Sequence, residues 1–491
     1  MQAITEAVEG LAVDKSGRSH PIAFGTDGWR AVIGDEFTFA NVDLLARGFG
    51  EWFLASNRGE APVIIGYDTR FLSNEFATTI SESLSRMSIQ VFLSEAPIPT
   101  PALSWSVADM NAGAGIMVTA SHNPARYNGI KIKTSDGMSA DEGVTDEILN
   151  TVDRLKDAPG GHFRSNGTQV IRKDFMASYI QQITRQVDLE LIKNSELSVV
   201  VDGMHGAGSG IFPRIFSESS VSVHEIRREL NPSFPNMRAP EPIAINLSST
   251  MEYVSEDDKI QCGFAFDGDA DRFGLVDEAG QFISSLDTFS LLTDGAYRVR
   301  GDKGPVVRSL TMSTLVDRIA EAYGQRVFET KVGFKYLAPI MRENDALIAG
   351  EESGGTAFRG HVCERDGPLS ALRIMELMAA TKRSPGELLR SLHELYGERS
   401  YDRYDLVVTP EVTGRLMERL ESEVPDSIGE LSVIGTDGID GFRYLLENNS
   451  WATVRLSGTE PLVRVYAETE NRRLTELVIK DIVKSIEVQN V

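Results

Sequence analysis

Three times along the chain the same order recurs: an apolar run of strand length, a short polar turn, then a helical pattern. The copies are PVIIGYDTRFLSNEF from Pro62, SVVVDGMHGAGSGI from Ser198 and PVVRSLTMSTLVDRI from Pro305. Strand, loop and helix in series build βα units and largely parallel sheets. In each copy a later apolar segment runs straight into a loop of unusual composition: GIMVTASHNP (115–124), CGFAFDGDADR (262–272) and ALIAGEESGG (346–355). Open α/β sheets bind ligands beyond the C-terminal ends of their strands, so these loops are where chemistry is expected. The last segment differs. TVRLSG and LVRVYAET read as a strand pair, followed by the helical NRRLTELVIKDIVKSIE. The expected architecture is α/β: three similar domains with mixed, largely parallel sheets, plus a smaller C-terminal α+β domain. A length of 491 residues suits three or four domains at ~100–200 residues each. Composition shifts at APGGHFRSNG (158–167), at the hairpin-like VDEAGQFI (276–283) and near Gly397-Glu398-Arg399 give expected domains 1–163, 164–284, 285–398 and 399–491.

Charge narrows the partners. A net charge of −23 argues against nucleic acid and anionic membranes, so an anionic ligand must be drawn in by a local basic pocket. Two cysteines, Cys262 and Cys363, make no disulfide framework and point to a reducing compartment. The opening MQAITEAVEGLAVDKSGRSH lacks a basic segment followed by an apolar core, and no apolar run of spanning length follows. The expected location is the cytoplasm.

The loops suggest particular chemistries. Ile116-Met117-Val118 reads as a buried strand. Pro124 cannot donate to a ladder and pushes Asn123 toward extended geometry, so Thr119 to Asn123 is expected to form a tight, exposed loop. Asn128 to Lys133 alternates polar and apolar, which places Lys131 and Lys133 on one face of a second strand. Ser121, flanked by His122 and followed by a lysine, is a candidate nucleophile. Asp267, Asp269 and Asp271 can converge on one hard divalent cation, for which Mg²⁺ is the natural choice. An EF-hand reading, with Glu278 in the twelfth place, fails because the sixth is Arg272 and strands flank the loop. In Gly350 to Gly355, Glu351 and Ser353 are candidates for hydrogen bonds to adjacent sugar hydroxyls. His361 and Glu364-Arg365-Asp366 add titratable groups downstream. Arg455, Ser457, Gly458 and Thr459, with Arg464 beyond, form a candidate phosphate nest. Arg30, in FGTDGWR, is either a surface charge or a phosphate ligand.

TASHNP, DGDADR, GEESGG and RLSGTEP, in this order, with FGTDGWR before them, resemble the α-D-phosphohexomutase superfamily from about Phe24 to the C-terminus. The resemblance implies four domains around one cleft. It implies that Ser121 carries a phosphoryl group, with Asp267, Asp269, Asp271 and a Ser121 phosphate oxygen on Mg²⁺. It places Arg30, His122, Lys131 and Arg272 around the transferring phosphate, Glu351 and Ser353 on the sugar hydroxyls, and Val332 and Gly333 in a sugar-positioning loop. Arg455, Ser457, Gly458, Thr459 and Arg464 would hold the non-reacting phosphate. The implied reaction passes a phosphoryl group from the serine to a hexose phosphate and back from the other end, through a hexose 1,6-bisphosphate. Lys131 is the candidate acid or base, on condition that its pKa is depressed. Several bacterial relatives that accept mannose or glucosamine phosphates carry histidine where this chain has Gly355, and in some phosphoglucomutases a lysine proposed as acid or base falls at the position of Arg365. An arginine there is a better phosphate ligand than proton carrier. His361 is the second acid/base candidate.

The expected function is interconversion of glucose 1-phosphate and glucose 6-phosphate, with glucose 1,6-bisphosphate as activator, by a monomer or homodimer. A phosphomannomutase or a dual-specificity enzyme is the alternative within the class. Outside it stand an Mg²⁺-dependent phosphatase with Asp267 as nucleophile and a non-catalytic sugar-phosphate sensor, against which the intact Ser121 and three aspartates argue.

Overall fold

The computed structural model describes residues 20–56, 60–156, 168–408, 410–456 and 462–487. The expected boundary segment 158–167 lies outside them. Continuous apolar runs become strands buried on both faces, as parallel sheets require. The first sheet holds β1 (Phe24–Gly25), β2 (Gly28–Val32), β3 (Val63–Tyr67), β4 (Val91–Ser94), β5 (Ala114–Val118), β6 (Tyr127–Thr134) and β7 (Val170–Lys173), ordered β1-β2-β6-β5-β3-β4-β7. The second holds β8 (Ser198–Asp202), β9 (Ser222–Ile226), β10 (Cys262–Phe266), β11 (Phe273–Val276) and β12 (Phe282–Ile283). The third holds β13 (Val306–Ser309), β14 (Val327–Thr330), β15 (Ile348–Gly350) and β16 (Thr356–Phe358). The fourth is antiparallel: β17 (Ser400–Val407), β18 (Ser427–Ile428), β19 (Leu431–Asp437), β20 (Phe442–Leu446), β21 (Ser450–Leu456) and β22 (Leu462–Thr469).

The first three sheets share one device. In each, a strand paired in parallel on one side turns back antiparallel on the other: β5 into β6, β10 into β11, β15 into β16. The three loops singled out in the sequence are those turns. Each contains a residue in the left-handed region, Ser121 (φ 51°), Ala270 (φ 54°) and Gly354 (φ 90°). Two of the three are not glycine, so surrounding contacts must hold them there.

One apolar core joins the first three domains, through residues such as Met117, Val199, Phe264, Phe289 and Leu372. It fixes the three loops relative to one another. The approach is close. A Cβ added to Gly268 would stand 2.6 Å from the Ser121 carbonyl oxygen, and one added to Gly367 would stand 2.6 Å from that of Arg272.

The fourth domain keeps its own core, around Leu406, Leu446, Val465 and Ile482, and meets the third through polar groups. Buried Glu468 accepts hydrogen bonds from Arg399 Nε (2.9 Å), Trp451 Nε1 (3.2 Å), Thr314 Oγ1 (2.8 Å), Thr314 N (3.0 Å) and Ser313 Oγ (3.1 Å). Arg443 Nη2 bridges to Glu329 at 2.7 Å. Glu468→Ala leaves the Arg399 charge buried without its partner, and we expect a loss of about 3–5 kcal/mol. Denaturant unfolding of the two proteins measures it, and an unchanged midpoint would remove Glu468 from the account of how this domain is held.

Candidate functional site

The Ser121 turn is not an exposed tip, contrary to the sequence expectation. Ser121 is 1% exposed, because the loop after β10 covers it. Ser121 Oγ donates to Asp267 Oδ2 at 2.7 Å and lies 3.3 Å from His122 Nδ1. Its backbone N–H is held by Thr119 Oγ1 at 2.8 Å. Arg70, from the turn after β3, pins the carbonyls around it: Ser121 O, Asn123 O (2.6 Å), Pro124 O (3.0 Å) and Tyr127 O (3.1 Å). Arg70 is itself paired with buried Asp68 at 3.2 Å. This clamp is what holds Ser121 in a left-handed conformation. Burial pulls the His122 imidazole well below its usual pKa, and Arg272, Arg30 and Arg70 add to the effect. His122 therefore faces the serine oxygen as a neutral ring.

Asp267, Asp269 and Asp271 are each fully buried, and one oxygen from each lies within 4.8 Å of the others. Burial raises the Asp267 carboxyl well above its usual range, reinforced by Asp269 and Asp271. Asp271 is raised for the same first reason, against the pull of Arg365. Burial opposes the charge on Asp269 too, but Lys131 and a hydrogen bond from Thr100 hold it below the usual range. Among the described residues, Asp269 Oδ1 and Asp271 Oδ1 are buried with no hydrogen-bond partner. Orphaned, mutually repelling carboxylate oxygens are the donor set a hard divalent cation takes, so these residues fit the expected metal.

Lys131 joins the triad to the N-terminal motif. Its Nζ lies 2.6 Å from Asp271 Oδ2, 2.7 Å from Asp269 Oδ2 and 3.0 Å from Asp27 Oδ2. Burial works against its charge, but Asp269, Asp27 and Asp271 together push the ammonium above the usual lysine range. The condition attached to Lys131 as acid or base is not met: it is a fixed cation. His361 is corrected as well. Its side chain is buried, 3.1 Å from Asp366 and stacked on Trp105, where Asp366 caps the helix Gly367–Thr381; it packs a helix start.

Arg365 links the sugar loop to the rest. It pairs with Asp27, with Asp271 at 2.9 Å and with Glu351 at 3.1 Å, and Glu351 in turn accepts from Ser353 Oγ at 2.8 Å. Arg30 donates to Asn123 Oδ1 at 2.8 Å, and Arg272 sits beside Asp267 through its backbone N–H at 3.1 Å. Ser121, His122, Arg30, Lys131, Arg272, Glu351, Ser353, Arg365 and the three aspartates thus form one connected network.

The remaining candidates form a second cluster. Val332 N donates to Asp440 at 2.9 Å, Arg455 pairs with the same carboxylate at 2.8 Å, and Arg464 stands opposite Arg455 in the β21–β22 register. Gly333 follows with φ 126° and begins the helix Phe334–Glu343. Ser457, Gly458 and Thr459 lie outside the described residues. Sequence reasoning missed Asp27, Arg70, Thr100 and Asp440. Thr100, at a helix start, reaches Asp269 with Oγ1 at 2.5 Å. Asp27 lies inside FGTDGWR, and Arg70 in the polar turn after the first repeated strand, so both stood within stretches already singled out.

A hydroxyl hydrogen-bonded to one member of a buried carboxylate triad, ringed by fixed cations and a neutral imidazole, is equipped for metal-assisted phosphoryl transfer. Known proteins agree. Models of phosphoglucomutase/phosphomannomutase α/β/α domains I, II and III match residues 21–158, 177–280 and 288–396, and that of the C-terminal domain matches 417–485. A phosphoglucomutase/phosphomannomutase from Thermococcus kodakarensis is 32% identical, over 93% of this chain and 97% of its own. A phosphoglucosamine/phosphogalactosamine mutase from Sulfurisphaera tokodaii is 29% identical over 94% and 99%. A crystal structure assigned as a phosphomannomutase from Thermus thermophilus superimposes with a TM-score of 0.82 at 33% identity, covering 95% of this chain and 99% of that one. The chain belongs to the phosphoglucomutase/phosphomannomutase family of the α-D-phosphohexomutase superfamily. It is a phosphohexomutase, an isomerase of the intramolecular phosphotransferase kind.

Proposed function

We propose that this phosphohexomutase interconverts glucose 1-phosphate and glucose 6-phosphate, with Ser121 as phosphoryl carrier and a hexose 1,6-bisphosphate as the intermediate. The observation that carries the reading is the Ser121 Oγ–Asp267 hydrogen bond, set inside the buried triad and beneath Arg70, Lys131 and Arg272. In the forward step the bond from phosphorus to Ser121 Oγ breaks as one forms to a hexose hydroxyl oxygen, and the proton of that hydroxyl ends on Ser121 Oγ. The serine then regains a phosphoryl group from the other end of the sugar. Asp267, Asp269 and Asp271 would hold Mg²⁺, which when bound offsets the charge of the transferring group. Lys131 and Arg272 supply fixed positive charge on the same group. Arg455 and Arg464 would grip the far phosphate, with Ser457, Gly458 and Thr459. Val332 and Gly333 would position the ring, and Arg365 would aim Glu351 at its hydroxyls. Glucose 1,6-bisphosphate would prime the serine. We place the enzyme in the cytoplasm as a monomer or homodimer, acting on small hexose phosphates without nucleic-acid or membrane partners.

The preference for glucose is supported by the pairing of Gly355 with Arg365. A Cβ at position 355 would stand 2.2 Å from Arg365 Cδ, so the arginine fills the space that a side chain there would need. The sugar loop is thereby built differently from one bearing histidine. The dual naming of the Thermococcus relative favours mannose phosphates as second substrates. Mutase assays with glucose, mannose and glucosamine 1-phosphates, with Mg²⁺ and a trace of the matching bisphosphate, test the assignment. Glucose 1-phosphate is expected to give the highest kcat/KM, and a higher value for either other sugar rejects the preference.

A further inference from the structure

A cavity of about 110 Å³ lies apart from the Ser121 network, between residues 292–302, strands β15 and β16, and the helix Gly367–Thr381. That is room for several water molecules, or for one small organic ion. Its apolar wall includes Leu292, Val299, Leu347 and Leu377. Its charged wall includes Arg300, Arg359 and Arg373 against Asp302 and Glu376. Arg359, partly exposed, pairs with exposed Asp345 at 3.3 Å, which leaves Arg300 and Arg373 to share Asp302 and Glu376.

The group left short of partners is Arg373. Glu376 is committed to Arg300, with contacts of 2.7 and 2.8 Å, and reaches Arg373 only at 3.3 Å. Arg373 Nε is buried and, among the described residues, has no hydrogen-bond partner. A buried donor left unpaired is costly. Burial, with Arg300 beside it, pushes Arg373 down to about 10, which is what an under-neutralised guanidinium does. The cavity edge is formed by Gly295–Val299, wound as a π-helix, a local geometry concentrated at functional sites.

We propose that this cavity is a binding site for a small aliphatic monocarboxylate, its carboxylate on Arg373 and its chain against Leu292, Val299 and Leu347. A single under-paired guanidinium suits a monoanion better than a phosphate dianion, and the apolar wall selects a short hydrocarbon body. Leu347 and Ile348 run on into Glu351, so the ligand would rest against the strand that carries the sugar-loop carboxylate.

The test is calorimetric titration of the full chain with sodium pentanoate, for wild type, Arg373→Met and Ala296→Leu. Arg373→Met removes the guanidinium but keeps its bulk; Ala296→Leu fills the cavity and keeps the arginine. We expect saturable binding in wild type and affinity lower by about tenfold or more in each variant, as for loss of a charge-assisted contact or of the space itself. Mutase kcat without pentanoate should be unchanged, and equimolar inorganic phosphate should not displace the carboxylate. Absence of saturable binding to wild type, equal affinity in a folded variant, or displacement by phosphate would each overturn the assignment. Should Arg373→Met fail to fold, Ala296→Leu decides.

Discussion

Ser121→Ala is expected to lower kcat for glucose 1-phosphate on the order of 10⁴-fold or more, the scale on which removing a nucleophile acts. The hydroxyl is the only part of Ser121 that the proposed relay uses, and alanine removes it alone. Its other contacts are made by the backbone: the N–H on Thr119 and the carbonyl on Arg70. The left-handed conformation is imposed by that clamp, so alanine should adopt it at about the same strain as serine. The variant should therefore fold, with a melting temperature within a few degrees of wild type on the usual scale for ~1 kcal/mol. The readout is a mutase assay beside thermal unfolding. Were Asp267 the nucleophile, the alanine variant would keep most of its activity and release free phosphate.

The second large effect is Asp269→Asn, which is expected to raise the Mg²⁺ concentration for half-maximal activity on the order of 10²-fold or more, beyond the 10–100-fold typical of groups that only support a ligand. The change is nearly isosteric, so packing is preserved. It removes one carboxylate charge from the triad and turns Asp269 Oδ1, buried and unpartnered, into an amide position that is a weaker metal donor. It also removes one of the three anions around Lys131, leaving Asp271 and Asp27. Mg²⁺ titration of activity measures the shift. An unchanged midpoint would mean that the metal is held elsewhere.

The sequence showed the loops better than what surrounds them. Residues 115–124, 262–272 and 346–355 sit at strand ends because an apolar run that stops abruptly is a local signal, readable without tertiary structure. Their common geometry, a parallel strand turning back antiparallel, was less visible. The short β11 and β16 carry little pattern of their own. The charge state of Lys131 was left open for a different reason. Its pKa depends on how many carboxylates converge on it, and Asp27, Asp269 and Asp271 come from distant parts of the chain. Burial of one lysine can push either way until those partners are counted. His361 was misjudged likewise, since only the fold reveals that it packs against Asp366 and Trp105. Arg70 and Thr100 act through long-range contacts that no spacing announces. The exclusion of a side chain at Gly355 by Arg365 became visible only as a distance.

In the proposed cycle the phosphoryl group rests on Ser121. Its most direct measurement is peptide mapping by mass spectrometry after incubation with Mg²⁺ and glucose 1,6-bisphosphate labelled with ³²P at both phosphates, followed by a chase with unlabelled glucose 1-phosphate. Label is expected on the peptide containing Ser121, stable to acid as a phosphoserine, with transfer to sugar phosphate during the chase. Label on the peptide containing Asp267, or label on Ser121 that the chase does not remove, would contradict it.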